Sequence, residues 1–236
     1  MFTKKACYLK EIIKETPDVN IFRFESIDGS AFDFSPGMFI MLYYKANTPE
    51  EIGRAYSIAS VPGESLIELT ISMVHGKLTS KLEEAHVGDI YHISGPYGQF
   101  KFDPTKNSKV FFVSGGTGLA PFLSMLRYIK NKKLNIDAVL LYSVRYPNEI
   151  IRKEELEDLE KNIKLKLIVT VTRYKPGDPW DGETGHINEE MVKKEVQDFA
   201  ERDIYICGPP TFVNAMELVF KNLGIDKSKI MAEMWG

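Results

Sequence analysis

The first hundred residues alternate between apolar and polar positions in short segments that are separated by Gly, Pro and Asp. Alternation with a period of two, bounded by such turn residues, predicts β-strands. Strands are predicted at 9–14, 21–25, 38–44, 55–59, 67–74 and 89–94, with one helix at 79–85. Six short strands at regular spacing indicate an antiparallel β-barrel.

After Pro104 the pattern changes, because compact apolar segments now alternate with segments of helical period. Strands are predicted at 110–114, 138–143, 166–172 and 204–207, and helices at 121–131, 153–162, 188–199 and 210–223. This order predicts an α/β domain with a doubly wound parallel sheet. We place the domain boundary between 102 and 107, which gives one domain at 1–104 and another at 105–236. The acidic helix 153–162 is typical of a solvated face rather than of a partner-binding surface.

The chain is organised around residues 110–126, where an apolar strand leads through Gly115-Gly116-Thr117-Gly118 into a helix. Glycines allow a ligand to approach the backbone closely, and the N–H groups at the start of a helix point at an anion. Pro121 falls in the first helical turn, where its missing N–H is not needed. No Lys-Ser/Thr pair follows, so the turn is not a P-loop and a purely structural turn is an equal alternative.

A second turn, Cys207-Gly208-Pro209-Pro210, also follows a predicted strand of the α/β domain. Ligands of doubly wound sheets bind at the carboxyl ends of the strands. The two turns therefore define one candidate ligand site.

Composition and charge narrow the classes of function. The net charge of −3 argues against a nucleic-acid partner, which needs a basic surface. No apolar segment reaches the roughly 18 residues of a membrane span, and the N-terminus lacks the apolar region of a signal peptide, so we expect a cytoplasmic protein. Cys7 and Cys207 cannot form an iron–sulfur or zinc site within this chain, and the four histidines lack ligand spacing. We expect no metal, and any cluster to belong to a partner.

Two further stretches of the barrel domain carry candidate binding groups. Arg54-Ala55-Tyr56-Ser57 offers a cation, an aromatic face and a hydroxyl on one strand, with Arg54 and Tyr56 on the same face. Arginine suits a diphosphate and tyrosine suits a flat ring, although an ordinary exposed strand is the alternative. The stretch 76–80, Gly-Lys-Leu-Thr-Ser, leads from a strand into a helix and suits an anion or a simple helix cap equally.

These motifs together resemble the ferredoxin-NADP reductase superfamily over nearly the whole chain. R-A-Y-S is similar to its flavin motif R-x-Y-S, and G-K-L-T-S to its flavin diphosphate turn. G-P-Y-G-Q-F at 95–100 is similar to the end of its barrel, while G-G-T-G-L-A-P-F and C-G-P-P are similar to its two nicotinamide-nucleotide motifs. The resemblance implies FAD, in preference to FMN, and NADP or NAD as cofactors.

The resemblance also implies roles for individual residues. The flavin would be bound by Arg54, Ala55, Tyr56, Ser57, Met73, Val74, Gly76, Lys77, Leu78, Thr79 and Ser80. The nicotinamide nucleotide would be bound by Gly116, Thr117, Gly118, Pro121, Arg145, Thr172, Arg173, Cys207, Gly208 and Pro209. Ser57, Cys207 and Glu233 would be catalytic, and Trp235 near the end of the sequence would cover the flavin. Ala55 stands where many members have Pro, and Trp235 where plant members have Tyr.

Three functions fit this family. We expect an FAD-dependent oxidoreductase that takes a hydride from NAD(P)H and passes single electrons to a ferredoxin or flavodoxin. The alternatives are an NAD(P)H:flavin reductase and an electron-transfer subunit or reductase component of a larger complex. We expect a monomer or weak dimer. The sequence favours NADPH because Arg145 and Arg173 follow two strands with no acid among their neighbours, although Glu149 is close.

Overall fold

A computed structural model describes residues 3–106, 108–177 and 179–235. It divides into two compact units. The first comprises the residues up to Phe102 together with Ala120–Tyr128, and the second comprises Asp103–Leu119 and the residues from Ile129 onward. None of the helices in these described ranges has the length and apolarity needed to cross a bilayer.

The first unit is built on a six-stranded antiparallel sheet. Its elements are β1 (Lys5–Thr16), β2 (Val19–Ser26), β3 (Phe39–Tyr44), β4 (Ile52–Ser57), β5 (Leu66–Ser72), α1 (Thr79–Glu83) and β6 (Ile90–Tyr97). The strand order is β4-β3-β6-β1-β2-β5, and a bridge between Ile58 and Leu69 brings the two edges together. The predicted antiparallel barrel is confirmed.

Alternating side chains of these strands fill the interior of the first unit. Phe24 and Tyr91 are fully or almost fully buried, and their rings meet edge to face at 5.6 Å. Ile40 and Leu42 of β3 lie in the same core. On β3 buried and partly buried residues alternate, as the period-two pattern of the sequence predicts, whereas β5 is buried at five consecutive positions.

A buried carboxylate fastens the middle of the helix α2 (Leu119–Asn131) within the first unit. Glu68, 4% exposed at its side chain, accepts from Arg127 at 2.7 Å and from Arg23 at 2.8 Å. Arg127 also donates to the Ala59 carbonyl at 2.7 Å, and Ser124 donates to the Ser60 carbonyl at 2.7 Å. These hydrogen bonds fix Ala59 and Ser60, which follow β4, against α2.

The second unit is an α/β unit with a parallel sheet. Its further elements are β7 (Lys109–Gly115), β8 (Asp137–Val144), α3 (Lys153–Asn162), β9 (Leu165–Val171), β10 (Glu183–Thr184), α4 (Glu189–Glu195), β11 (Asp203–Gly208), α5 (Pro210–Asn222) and β12 (Ile230–Met234). The strands lie in the order β10-β9-β8-β7-β11-β12 and are parallel throughout, and the order in which the chain visits them reverses between β7 and β11. The predicted parallel sheet is confirmed.

The bounds of most elements shift by a few residues, as for β4, which spans Ile52–Ser57 where 55–59 was predicted, and three elements differ more. Helix α4 ends at Glu195 rather than at Phe199, because Val196 leaves the helical conformation. The short strand β10 was not predicted. Strand β12 was not predicted either, since Ile230–Met234 has no clean alternation and is partly exposed at the sheet edge, where only pairing with β11 orders it.

Candidate active site

The predicted flavin strand is β4. Its register places Arg54 opposite Leu42 and Tyr56 opposite Ile40, so Arg54 and Tyr56 share a face, as strand alternation predicts. Arg54 and Ala55 are exposed, and Ser57 is 2% exposed. The Arg54 guanidinium donates to the Gly53 carbonyl at 2.8 Å and pairs with no carboxylate in the described part of the chain. This strand therefore presents an exposed cation whose charge no described carboxylate neutralises.

Tyr56 lies between the surface and the barrel core, where its ring packs against buried side chains. Burial raises the pKa of the Tyr56 phenol to about 12, and the neighbouring Arg54 opposes this rise. The phenol is therefore neutral at physiological pH. It can offer a ring face and a hydroxyl donor to a bound planar group.

The turn at Gly76 is shaped by its own threonine. Thr79 Oγ1 accepts from the Gly76 N–H at 2.7 Å and donates to the Gly76 carbonyl at 3.2 Å. Leu78 is buried and Lys77 is exposed. The N–H groups of Lys77, Leu78 and Thr79 have no acceptor among the described residues, and no side chain caps α1. The turn therefore fits an anion through its backbone, while the Thr79 hydroxyl is already used.

Other predicted flavin residues flank this turn. Met73 follows β5 and is partly buried, and its N–H donates to the Asp18 carbonyl at 2.8 Å. Val74 is 69% exposed, and Ser80 is partly buried. An apolar side chain as exposed as Val74 is available to a ligand, and its predicted role stays a prediction.

The glycines of the β7 turn have different structural reasons. Gly116 has φ of +55°, and a Cβ there would face open space. Gly118 has no such backbone requirement, but a Cβ on it would lie 2.2 Å from the Cys207 carbonyl oxygen. Phe212 packs on Gly115 and Gly208, where an added Cβ would lie 2.9 Å and 2.8 Å from its ring. Phe212 belongs to no motif that would single it out in the sequence.

These contacts join the two predicted nucleotide turns at one place. Gly118 follows β7 and Cys207 lies near the end of β11, and the strand order of the sheet reverses between these strands. Open α/β sheets bind ligands in the crevice at such a reversal. The open space at Gly116 and the close packing at Gly118 therefore fit a nucleotide that contacts the backbone directly.

The two predicted prolines lie at the starts of helices. Pro121 lies in the first turn of α2, and Pro209 directly precedes α5.

Cys207 lies between two polar neighbours on adjacent strands. It is fully buried, with Ser114 of β7 opposite on one side and Glu233 of β12 on the other. Burial raises the pKa of the Cys207 thiol well above its ordinary value, and the Glu233 carboxylate raises it further. The thiol is therefore neutral and cannot serve as a thiolate nucleophile.

Trp235 follows β12, and its backbone N–H donates to the Gly208 carbonyl at 3.4 Å. Its indole Nε1 is buried and has no hydrogen-bond partner among the described residues. Buried indole N–H groups are normally satisfied. The predicted role of Trp235 over the flavin stays a prediction.

The predicted ribose residues lie at the carboxyl ends of β8 and β9. Arg145 forms a double hydrogen bond with Glu149, and Thr172 Oγ1 donates to the Val144 carbonyl at 3.2 Å. The exposed Arg173 places its guanidinium 5.7 Å from the centre of the Tyr146 ring. The structure thus brings both predicted arginines to one sheet edge, and it adds a carboxylate to one of them.

Comparison with known proteins identifies the two units. The family model described as "Oxidoreductase FAD-binding domain" matches residues 6–102, and "Oxidoreductase NAD-binding domain" matches residues 112–217. The chain therefore carries an oxidoreductase FAD-binding domain followed by an oxidoreductase NAD-binding domain. It belongs to the ferredoxin-NADP reductase superfamily, which confirms the resemblance.

Two relatives with similar names show the extent of this similarity. The chain is 32% identical over 230 residues to the glycine betaine monooxygenase reductase subunit of Pseudomonas aeruginosa, covering 96% of this chain and 63% of the relative. It is 29% identical over 223 residues to the stachydrine N-demethylase reductase subunit of Rhizobium meliloti, covering 93% and 63%. The chain therefore spans less than two thirds of the length of these relatives.

Solved structures agree in fold. The cytochrome b5 reductase domain of Ulva prolifera nitrate reductase superposes with a TM-score of 0.85 at 26% identity, covering 98% of this chain and 97% of that domain. A ferredoxin NADP⁺ reductase from Neisseria gonorrhoeae, solved with FAD and NADP, gives a TM-score of 0.81 at 21% identity over 99% and 98%.

Proposed function

We propose that the chain is the reductase part of an electron-transfer system, which takes a hydride from NAD(P)H onto FAD and passes electrons singly to an acceptor protein. The observation that carries the proposal is the FAD-binding domain followed by the NAD-binding domain. Relatives that share both are named as reductase subunits of a glycine betaine monooxygenase and of a stachydrine N-demethylase. We propose an oxygenase-linked ferredoxin as acceptor, with flavodoxin as the second choice. A monomeric or weakly dimeric protein in the cytoplasm stays a prediction from the sequence.

The first unit would hold the flavin. Arg54 suits the diphosphate because its charge is exposed and unpaired by any described carboxylate. The N–H groups of Lys77, Leu78 and Thr79, which have no acceptor among the described residues, suit the same diphosphate. Tyr56 would pack its neutral ring on the flavin, and Ser57 would lie beside the reacting nitrogen. Bound FAD supplies the chemistry that accepts two electrons as a hydride and releases them one at a time.

The second unit would hold the nicotinamide nucleotide at the crevice between β7 and β11. Gly116, Thr117 and Gly118 would bind it through the backbone, because no side chain stands in the way at Gly116. The neutral, buried Cys207 thiol and Gly208 would lie at the nicotinamide ring without adding charge there. Glu233, beside Cys207 in the register, would orient the ring. Alignment and exclusion of water are the protein's contribution to hydride transfer.

The test is an anaerobic titration of the purified protein, followed by visible absorption. The oxidised flavin spectrum should bleach with one equivalent of NADH or NADPH. The reduced protein should then reduce added [2Fe-2S] ferredoxin faster than free FMN. Fast reduction of free FMN with no transfer to ferredoxin or flavodoxin would instead support the flavin reductase. Nucleotide binding without bleaching would support an electron-transfer subunit without hydride chemistry, and would overturn the proposal.

The flavin assignment predicts a specific loss in Arg54→Ala. Removing one charge-assisted contact with the diphosphate should weaken flavin affinity by about 1.5 to 3 kcal/mol, or roughly ten- to hundredfold. Thermal stability of the flavin-free protein should stay unchanged, since among the described residues the Arg54 side chain hydrogen-bonds only to the Gly53 carbonyl. Flavin content after gel filtration measures the effect, and Lys14→Ala removes an equally exposed charge from the same sheet as a control. Flavin content equal to that of the wild type would contradict the assignment.

A further inference from the structure

Arg145 and Glu149 form a two-point ion pair at the carboxyl end of β8. Arg145 donates its Nε–H to Oε2 of Glu149 at 3.0 Å, and its Nη2 lies 2.7 Å from Oε1. The Arg145 backbone N–H donates to the same carboxylate at 3.3 Å. The Glu149 side chain is 16% exposed, whereas that of Arg145 is 48% exposed. The carboxylate is thus set into the surface by three donors from one residue.

The ion pair with Glu149 occupies the two N–H donors of Arg145 that would otherwise bind a phosphate. Arginine binds phosphate most strongly through two parallel N–H donors, and here the Nε and Nη2 pair is already occupied. The Glu149 carboxylate also offsets the guanidinium charge locally. A phosphate at this position would meet a second anion rather than an available cation.

Backbone pairing places the neighbouring arginine beside this ion pair. The ladder of β8 and β9 continues past the strand ends, with the Thr172 N–H bonded to the Val144 carbonyl at 2.9 Å and the Arg173 N–H bonded to the Arg145 carbonyl at 3.0 Å. The Arg173 guanidinium stands 5.7 Å from the Tyr146 ring and pairs with no carboxylate among the described residues. One sheet edge therefore carries one paired and one available arginine.

The Arg145–Glu149 pair lies where the adenosine ribose of a bound dinucleotide is expected. The 2′ position of this ribose carries a hydroxyl in NAD and a phosphate in NADP. In doubly wound sheets the phosphates lie at the glycine turn of the first strand, and the adenosine ribose lies beyond the next strand. Here the glycine turn follows β7, and the Arg145–Glu149 pair follows β8, its neighbour in the sheet. An acid at that position suits a 2′-hydroxyl, and an available arginine suits a 2′-phosphate.

We propose that Glu149 determines the nucleotide preference of this protein by occupying Arg145 and excluding a 2′-phosphate, so that NADH is the preferred donor. The inference rests on the proposed function and deepens it. The sequence alone favoured NADPH, because both Arg145 and Arg173 were taken as available for the 2′-phosphate. The ion pair with Glu149 reverses this preference. Arg173 provides the residual affinity for a 2′-phosphate.

The test compares binding of NAD⁺ and NADP⁺ to the FAD-loaded protein by isothermal titration calorimetry. The wild type should bind NAD⁺ roughly tenfold more tightly than NADP⁺, since one like-charge contact with a partly buried carboxylate is of this order. Glu149→Gln should tighten NADP⁺ about tenfold and change NAD⁺ by less than about twofold, because glutamine keeps the shape and loses the charge. This increase in NADP⁺ affinity should be smaller in 0.5 M salt, because salt screens the charges.

Two further variants make the comparison specific. Glu157→Gln makes the same charge change on an exposed face of α3 and should leave both affinities unchanged. Arg173→Ala in the Glu149→Gln background should remove most of the gain for NADP⁺. Equal binding of both nucleotides by the wild type, or an equal shift of both in Glu149→Gln, would overturn the inference while the proposed function stands. If the variant does not fold, the wild-type ratio decides. Absence of binding by either nucleotide would overturn both.

Discussion

Gly118 offers a direct test of the junction between the two nucleotide turns. Its backbone has no positive φ, so alanine can adopt the same conformation, and the substitution is disfavoured only by steric overlap. An added Cβ would lie 2.2 Å from the oxygen and 2.5 Å from the carbon of the Cys207 carbonyl. Both are backbone atoms of a central parallel strand, which cannot rotate away as a side chain can. The two turns would have to separate by about 1 Å to restore ordinary contacts.

The expected cost follows from that overlap. Overpacking a well-filled interior costs about 1 to 3 kcal/mol, and contact with backbone places Gly118→Ala near 3 kcal/mol. For a chain of this size each kcal/mol lowers Tm by about 2 to 4 °C, so Tm should fall by roughly 6 to 12 °C. Separation of the turns should also weaken nucleotide binding by about tenfold or more, since a displacement near 1 Å misplaces several backbone donors.

Differential scanning calorimetry and nucleotide titration of the folded variant measure the two effects. Gly224→Ala is the matched control, because Gly224 has φ of +78° and open space, and lies in the loop after α5. It should cost about 1 to 2 kcal/mol through the left-handed backbone alone and leave nucleotide affinity unchanged. If Gly118→Ala melts and binds nucleotide like the wild type, the close approach of Gly118 to Cys207 is wrong.

Two other predictions concern stability. Glu68→Ala leaves Arg127 and Arg23 without the carboxylate that they share and should cost about 3 to 5 kcal/mol in urea unfolding; a loss below about 1 kcal/mol would show that the charges are solvated. Burial raises the pKa of the Cys7 thiol from 9.0 to about 12, so the folded state holds a proton that the unfolded state releases at high pH. Stability should therefore be unaffected by this thiol below pH of about 8.5 and should fall above pH of about 9, by up to about 1.4 kcal/mol per pH unit. Cys7→Ala should reduce this slope, and an identical slope in the variant would contradict the assignment.

Much of the architecture follows from the sequence pattern alone. All six barrel strands and the main strands of the parallel sheet were predicted, because period-two alternation and compact apolar segments record which faces are buried. The turns at 115–118 and 207–210 were placed correctly at strand ends. The family was also identified from the order of the motifs, since glycines and charged groups that bind cofactors leave local signatures. The individual roles of the site residues remain predictions.

Tertiary structure decided what depends on neighbours far apart in the chain. The approach of Gly118 to Cys207 arises because β7 and β11 are adjacent in the sheet, although about ninety residues separate them. Strand β12 exists through its pairing with β11. Glu149 looked like one acid near two arginines, and only the folded turn shows that its carboxylate occupies the donors of Arg145. A sequence records the chemistry that each position carries, whereas the partner of a charge and the space beside a glycine are set by which strands lie side by side.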